Sequence, residues 1–214
     1  TSYIHNETGS SLTRSADVTS ISGDNFGTYR TNLCGKSTPK ELVSNTTVNG
    51  WSATEPLTTP PLLEPYAALA PDGTFSATKV TIKHNANTNE HQLAYRLTSD
   101  LANNTPVTFS FYARTDSGTV DTKIKMGRTN TVQSSQTYTI TTEWQRFEIV
   151  DTGADIGNTK RYYGLSPIGN QLDKSFYIWG VQVEATGTDA TNLIPSTDTF
   201  TSRLGNATYV DSNG

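Results

Sequence analysis

Tyr112 and Arg114 stand two residues apart in Val107-Thr108-Phe109-Ser110-Phe111-Tyr112-Ala113-Arg114, and Gln92 and Arg96 share a parity in Gln92-Leu93-Ala94-Tyr95-Arg96. On a β-strand, residues an even number apart share a face, so each set puts its polar groups on the side opposite the apolar ones. Tyr162, of opposite parity to Tyr163, points the same way. An aromatic ring stacks on the apolar face of a pyranose while guanidinium and amide groups take its hydroxyls, so this combination fits sugar binding. Trp51, which follows the turn signal Asn49-Gly50, is the remaining candidate ring. If these strands share a sheet, Tyr112, Arg114, Tyr162, Arg96 and Gln92 form one surface. The alternative for each is a solvated sheet face with a scattered tyrosine.

Catalytic chemistry has less to stand on. The histidines are His5, His84 and His91, and the last two flank an expected hairpin turn. That is the minimum for a metal or an acid/base pair, but exposed hairpin histidines are the more ordinary reading. Gly164-Leu165-Ser166-Pro167-Ile168 begins like a nucleophile elbow and lacks its closing glycine. Asp121, Glu143, Asp151 and Asp155 offer carboxylates for glycoside hydrolysis, yet nothing in the sequence fixes their separation. No Asp/Asn-dense loop suggests calcium. The expectation is therefore no enzyme, no metal and no cofactor.

Charge and composition narrow the partners. The 214 residues carry a formal net charge of −4, with no basic stripe, which argues against a nucleic-acid partner. No apolar run approaches the ~20 residues of a membrane span, so no membrane insertion is expected. The single Cys34 cannot form an intrachain disulfide and is expected to pack as a small hydrophobe. Only 33% of residues are hydrophobic and 17% charged, the remainder being rich in Thr, Ser, Asn and Gly, which suits strands and turns. No signal peptide opens the chain, which reads as cut from something longer.

The elements that must position the candidate residues are legible from period-2 alternation. Phe176-Tyr177-Ile178-Trp179-Gly180-Val181-Gln182-Val183-Glu184 reads as the central strand, with Tyr177, Trp179, Val181 and Val183 on one face and Trp179 in the core. Val107, Phe109, Phe111 and Ala113 face inward on another strand, and Val80/Ile82, Leu93/Tyr95, Ile124/Met126, Phe147/Ile149 and Tyr163/Leu165 repeat the pattern. Trp144 is expected to seal an end of the core. Pro56, Pro60, Pro61 and Pro65 make residues 55–65 a stiff surface loop and forbid a central strand there. With about eight or nine strands and no helical period, the fold class is all-β, an antiparallel jelly-roll β-sandwich with extended connector segments at both ends. Residues 1–30 and 187–214 read as connectors around a module spanning 31–186. Ile4 with Ile194, and Arg14 with Arg203, align the two ends as copies of one connector.

In their order and spacing, Thr31-Asn32-Leu33, Trp51, Ala70-Pro71-Asp72-Gly73-Thr74, the strand at 107–114, Thr142-Glu143-Trp144-Gln145-Arg146-Phe147, the strand at 176–184 and Asn192-Leu193-Ile194-Pro195 carry a resemblance. Together they resemble a module of bacteriophage tail fibres and virion appendages whose fold is like that of family 4/9 carbohydrate-binding modules, which are galactose-binding-like jelly rolls. The resemblance implies a non-catalytic module on the virion, assembled in the host cytoplasm and attaching to host surface polysaccharide. It also implies self-association as a homotrimer and contact with other virion proteins. A structural repeat or spacer of a fibre or coat, assembled through its connectors, is the alternative. Residues 52–66 depart from the pattern, so any ligand contact on that loop is not carried over.

Overall fold

The computed structural model describes residues 29–42, 50–54, 60–82, 92–96, 105–128, 131–151, 161–168, 173–185, 190–194 and 201–204. They form twelve strands: β1 (Tyr29–Asn32), β2 (Gly50–Thr54), β3 (Leu62–Ala68), β4 (Ala77–Ile82), β5 (Gln92–Arg96), β6 (Val107–Arg114), β7 (Val120–Arg128), β8 (Thr131–Ile140), β9 (Gln145–Asp151), β10 (Arg161–Pro167), β11 (Lys174–Ala185) and β12 (Thr201–Leu204). All the pairings are antiparallel. The fold is an all-β sandwich of two sheets, as the alternation predicts.

The central strand expected at 176–184 is β11. Strand β6 runs along one edge of it, from Tyr177 opposite Arg114 to Ala185 opposite Val107, and β9 lies beyond β6. The other edge is divided: β4 pairs with its first half and β1 with its second, at Asn32 opposite Glu184. Strand β3 borders β4 and β12 borders β1, completing sheet A with seven strands. Sheet B has five, in the order β2, β5, β10, β7, β8.

Between the sheets lies one continuous core. Phe109 and Phe111 of sheet A and Leu93, Tyr95, Ile124, Tyr163 and Leu165 of sheet B are all 0% exposed. The Phe109 and Tyr163 rings stack across the interface with centroids 5.4 Å apart. Burying a side chain of this size stabilises by about 1.5–3 kcal/mol, so these rings dominate the attraction between layers.

One face assignment in β11 is corrected. Phe176 and Ile178 face the core, whereas Tyr177 and Trp179 lie on the outer face of sheet A. A β-bulge between Trp179 and Gln182, with Gly180 at φ 62°, shifts the parity, so Val181 and Val183 return to the core. A bulge inserts an extra residue and re-aims the side chains after it. Trp179 is therefore half-buried outside the sandwich, not in its core.

The proline-rich stretch also differs from expectation, since Leu62–Ala68 is a strand containing Pro65. It is tolerated because β3 pairs only with β4, leaving an edge that needs no donor at every position. Of the segment read as the second connector, Thr191 and Ile194 are buried and β12 pairs with β1 in register from Tyr29–Leu204 to Asn32–Thr201.

Candidate functional site

Sheet B brings three of the expected residues together. Arg96 of β5 stands opposite Tyr162 of β10, and Gln92 lies four residues along β5, opposite Thr54 of β2. These positions alternate with Leu93, Tyr95, Tyr163 and Leu165, which fill the core. Between them runs a register row of Ser52, Ala94 and Gly164, continuing to Lys125 of β7. Ser52 is 6% and Ala94 0% exposed although they belong to the parity facing away from the core, and Gly164 is buried too. The row is made of small residues that solvent scarcely reaches, and half-buried Lys123 of β7 lies diagonal to it, opposite Ser166. The reading of the sequence misses the small residues and Lys123. Small residues at outward strand positions are the signal that marks them, because a strand centre with little side chain marks a place where other groups approach the backbone closely.

Trp51 does not join that surface. It is 0% exposed, packs edge-on against Tyr95 with centroids 5.4 Å apart, and donates from Nε1 to the Lys36 carbonyl at 2.8 Å. Register explains this: Trp51 pairs with Tyr95, which pairs with Tyr163, and that row faces inward. Its ring is core, and the expectation of a ligand contact there is corrected.

Tyr112 and Arg114 belong to β6, in the other sheet, so the single surface expected from the five residues does not form. They sit in a compact aromatic and guanidinium cluster on the outer face of sheet A. The Arg114 guanidinium lies 4.6 Å from the Tyr177 ring centroid and 5.4 Å from that of Trp144. Tyr112 packs against Trp179 at 5.6 Å and beneath Arg146 at 5.7 Å. Each indole is already engaged: Trp144 Nε1 donates to the Leu69 carbonyl at 3.1 Å and Trp179 Nε1 to Ser76 Oγ at 3.0 Å. The two tryptophans thereby clamp both ends of the β3–β4 turn. Trp144, expected to seal the core, instead belongs to this outer cluster.

Beside the cluster, buried polar groups anchor residues 191–194 to sheet A. Asn32 Nδ2 donates to Ser37 Oγ at 3.0 Å and to the Ile194 carbonyl at 2.9 Å, while its Oδ1 accepts from the amides of Cys34 at 2.9 Å and Val183 at 3.1 Å. Gln182 Oε1 accepts the Ile194 amide at 2.6 Å, and Glu184, 0% exposed, accepts from the Thr191 amide at 3.0 Å and its hydroxyl at 2.7 Å. A buried carboxylate is tolerable when donors surround it like this.

Among the candidate carboxylates, Asp121 lies in sheet B, where its Oδ1 accepts from Thr139 Oγ1 at 2.6 Å, whereas Asp151 lies in sheet A. Glu143 is in the turn between β8 and β9, while Asp155, His5, His84 and His91 lie outside the described residues. Among the described residues no three His, Cys, Asp or Glu side chains group as metal ligands. Cys34 is fully buried, and burial pushes its thiol well above the usual range despite the Lys36 carbonyl and Tyr95 hydroxyl nearby. A neutral buried thiol is a poor nucleophile.

No family model matches the sequence, and no curated protein matches it. Similarity appears among solved structures. A family 4 carbohydrate-binding module superposes with a TM-score of 0.50 at 18% identity, over 68% of this chain and 92% of that one. The CBM22-1 xylan-binding domain of Paenibacillus barcinonensis Xyn10C gives 0.49 at 12% identity, over 75% and 94%. The enzymatically active domain of tailspike protein 4 from bacteriophage CBA120 gives 0.42 at 12% identity, over 65% of this chain and 19% of that one. What the family 4 module shares with this chain is the jelly-roll fold.

Proposed function

We propose that this chain is a non-catalytic glycan-binding module whose binding face is the outer side of sheet B. The observation that carries the reading is the pairing of Arg96 with Tyr162 beside the row of small residues Ser52, Ala94 and Gly164. Tyr162, Arg96 and Gln92, at neighbouring register positions, supply the residue types a pyranose calls for: a ring for its apolar C–H face, and a guanidinium and an amide for its hydroxyls. The family 4 carbohydrate-binding module shares this fold, in agreement with that reading.

The finer reading is attachment of a virion appendage to host surface polysaccharide, with the chain assembling as a homotrimer alongside other virion proteins. It rests on the sequence resemblance. The test is binding of fluorescently labelled protein to intact bacterial cells and their extracted polysaccharides, with mass by light scattering and an assay for reducing ends. Saturable binding by a trimer without new reducing ends is expected. Absence of binding by folded protein would leave the spacer reading.

A further inference from the structure

Tyr66 is the one residue other than glycine with a positive φ among the described residues, at 58°. A tyrosine resists that backbone conformation, because its Cβ approaches the following carbonyl. The surroundings impose it: between Glu64, opposite Lys79, and Ala68, opposite Ala77, β3 carries three residues against the single Thr78 of β4. This bulge turns the Tyr66 ring outward, 55% exposed, while Ala67 and Ala68 pack against the outer cluster of sheet A. Lys40 Nζ lies over one face of the ring, 4.9 Å from its centroid. Lys40 is exposed and forms no ion pair among the described residues, whereas neighbouring Lys36 is neutralised by Glu41 at 2.6 Å. Strained, exposed aromatics aimed by a bulge are found where binding requires them.

We propose that Tyr66 and Lys40 form a second sugar site, separate from sheet B, that takes an acidic pyranose such as a uronate. The free part of the ring stacks on the C–H face of the sugar, and the unpaired ammonium takes its carboxylate. The tyrosine supplies shape and the lysine supplies the choice of charge. The site lies on the edge hairpin of sheet A, so it stands or falls independently of the sheet B face.

The test is titration of the ¹⁵N-labelled full chain with tetragalacturonate, monitored by amide shifts, with galactotetraose and acetate as controls. Tetragalacturonate is expected to shift the Tyr66 and Lys40 amides saturably, with galactotetraose at least about five-fold weaker and acetate without effect, as expected when stacking and charge act together. Tyr66→Gly relieves the backbone strain and removes the ring, so it abolishes these shifts without lowering the melting temperature. Tyr66→Phe keeps them, and Lys40→Met removes the preference for the acidic sugar. Tyr162→Ala leaves them intact, which separates this site from the sheet B face. Equal binding of the neutral and acidic tetramers, unchanged shifts in Tyr66→Gly, or a lower melting temperature in that variant would overturn the proposal.

Discussion

The side-chain amide of Asn32 donates to the carbonyl of Ile194 at 2.9 Å, joining segments 162 residues apart. The same amide holds Ser37 Oγ and, through Oδ1, the amides of Cys34 and Val183. One buried side chain thus ties β1, the turn after it, β11 and residues 191–194 together.

Replacing Asn32 by Ala strands several buried backbone groups at once. Each unsatisfied group costs about 1–3 kcal/mol, so a loss of at least ~3 kcal/mol is expected in urea unfolding. Deuterium exchange at the Ile194 and Val183 amides is expected to accelerate in the same variant. A loss below ~1 kcal/mol would contradict the role of Asn32 as a hub.

Gly180 is required at the β11 bulge for two reasons that can be separated. At φ 62° any side chain is strained, and a Cβ there would lie 3.3 Å from both Leu193 Cδ2 and Tyr112 Cδ2. Gly180→Ala is expected to cost about 1–2 kcal/mol from the backbone alone, with the contacts adding to it. In Gly180→Ala/Leu193→Ala the second substitution relieves the contact part only, so the double variant loses less than the sum of the singles. Strict additivity would show that Leu193 is not the obstacle.

Alkaline pH should destabilise the protein. Burial pushes the Cys34 thiol and the Tyr95, Tyr138 and Tyr177 phenols up, with Glu148 adding to the rise at Tyr138 and Asp116 to that at Tyr177. Above the unfolded pKa values of about 8.5 for Cys and about 10 for Tyr, the unfolded chain releases protons that the folded chain retains. The folded state then binds more protons, so stability is full below these values and falls as pH rises. Urea midpoints should decline from about pH 9 and more steeply above about pH 10, and Cys34→Ala should remove the earlier part. A midpoint that stays flat to about pH 10.5 would contradict this. Because the thiol is sealed in the fold, its labelling by a disulfide reagent should track unfolding.

Much of the fold is legible in the sequence, because alternation reports directly which side chains a sheet buries. Phe109, Phe111, Tyr163 and Leu165 read as inward, and they are. Alternation misplaces Trp179 because a bulge leaves no mark on it except a glycine such as Gly180. Sheet membership is illegible for a different reason. Period 2 tells which way Tyr112 and Arg114 point relative to Phe111, but nothing about whether their strand neighbours β5 or β11. The same gap places Trp51 on the surface, when pairing with Tyr95 turns it inward. The inclusion of β12 in sheet A is equally hidden, since four residues of mixed polarity carry no period. The resemblance points to the jelly roll, but the buried Ser52–Ala94–Gly164 row emerges only from register.

The measurement that most directly tests the binding face compares wild type, Tyr162→Ala, Arg96→Ala and Tyr112→Ala, each verified as folded, titrated calorimetrically with the extracted polysaccharide that the wild type binds. Loss of a stacking ring or a sugar-facing guanidinium is expected to weaken binding about ten-fold in Tyr162→Ala and Arg96→Ala. Tyr112→Ala, in the opposite sheet, should bind as wild type does. Binding that survives both sheet B substitutions and disappears with Tyr112→Ala would contradict the assignment and move the site to the outer face of sheet A.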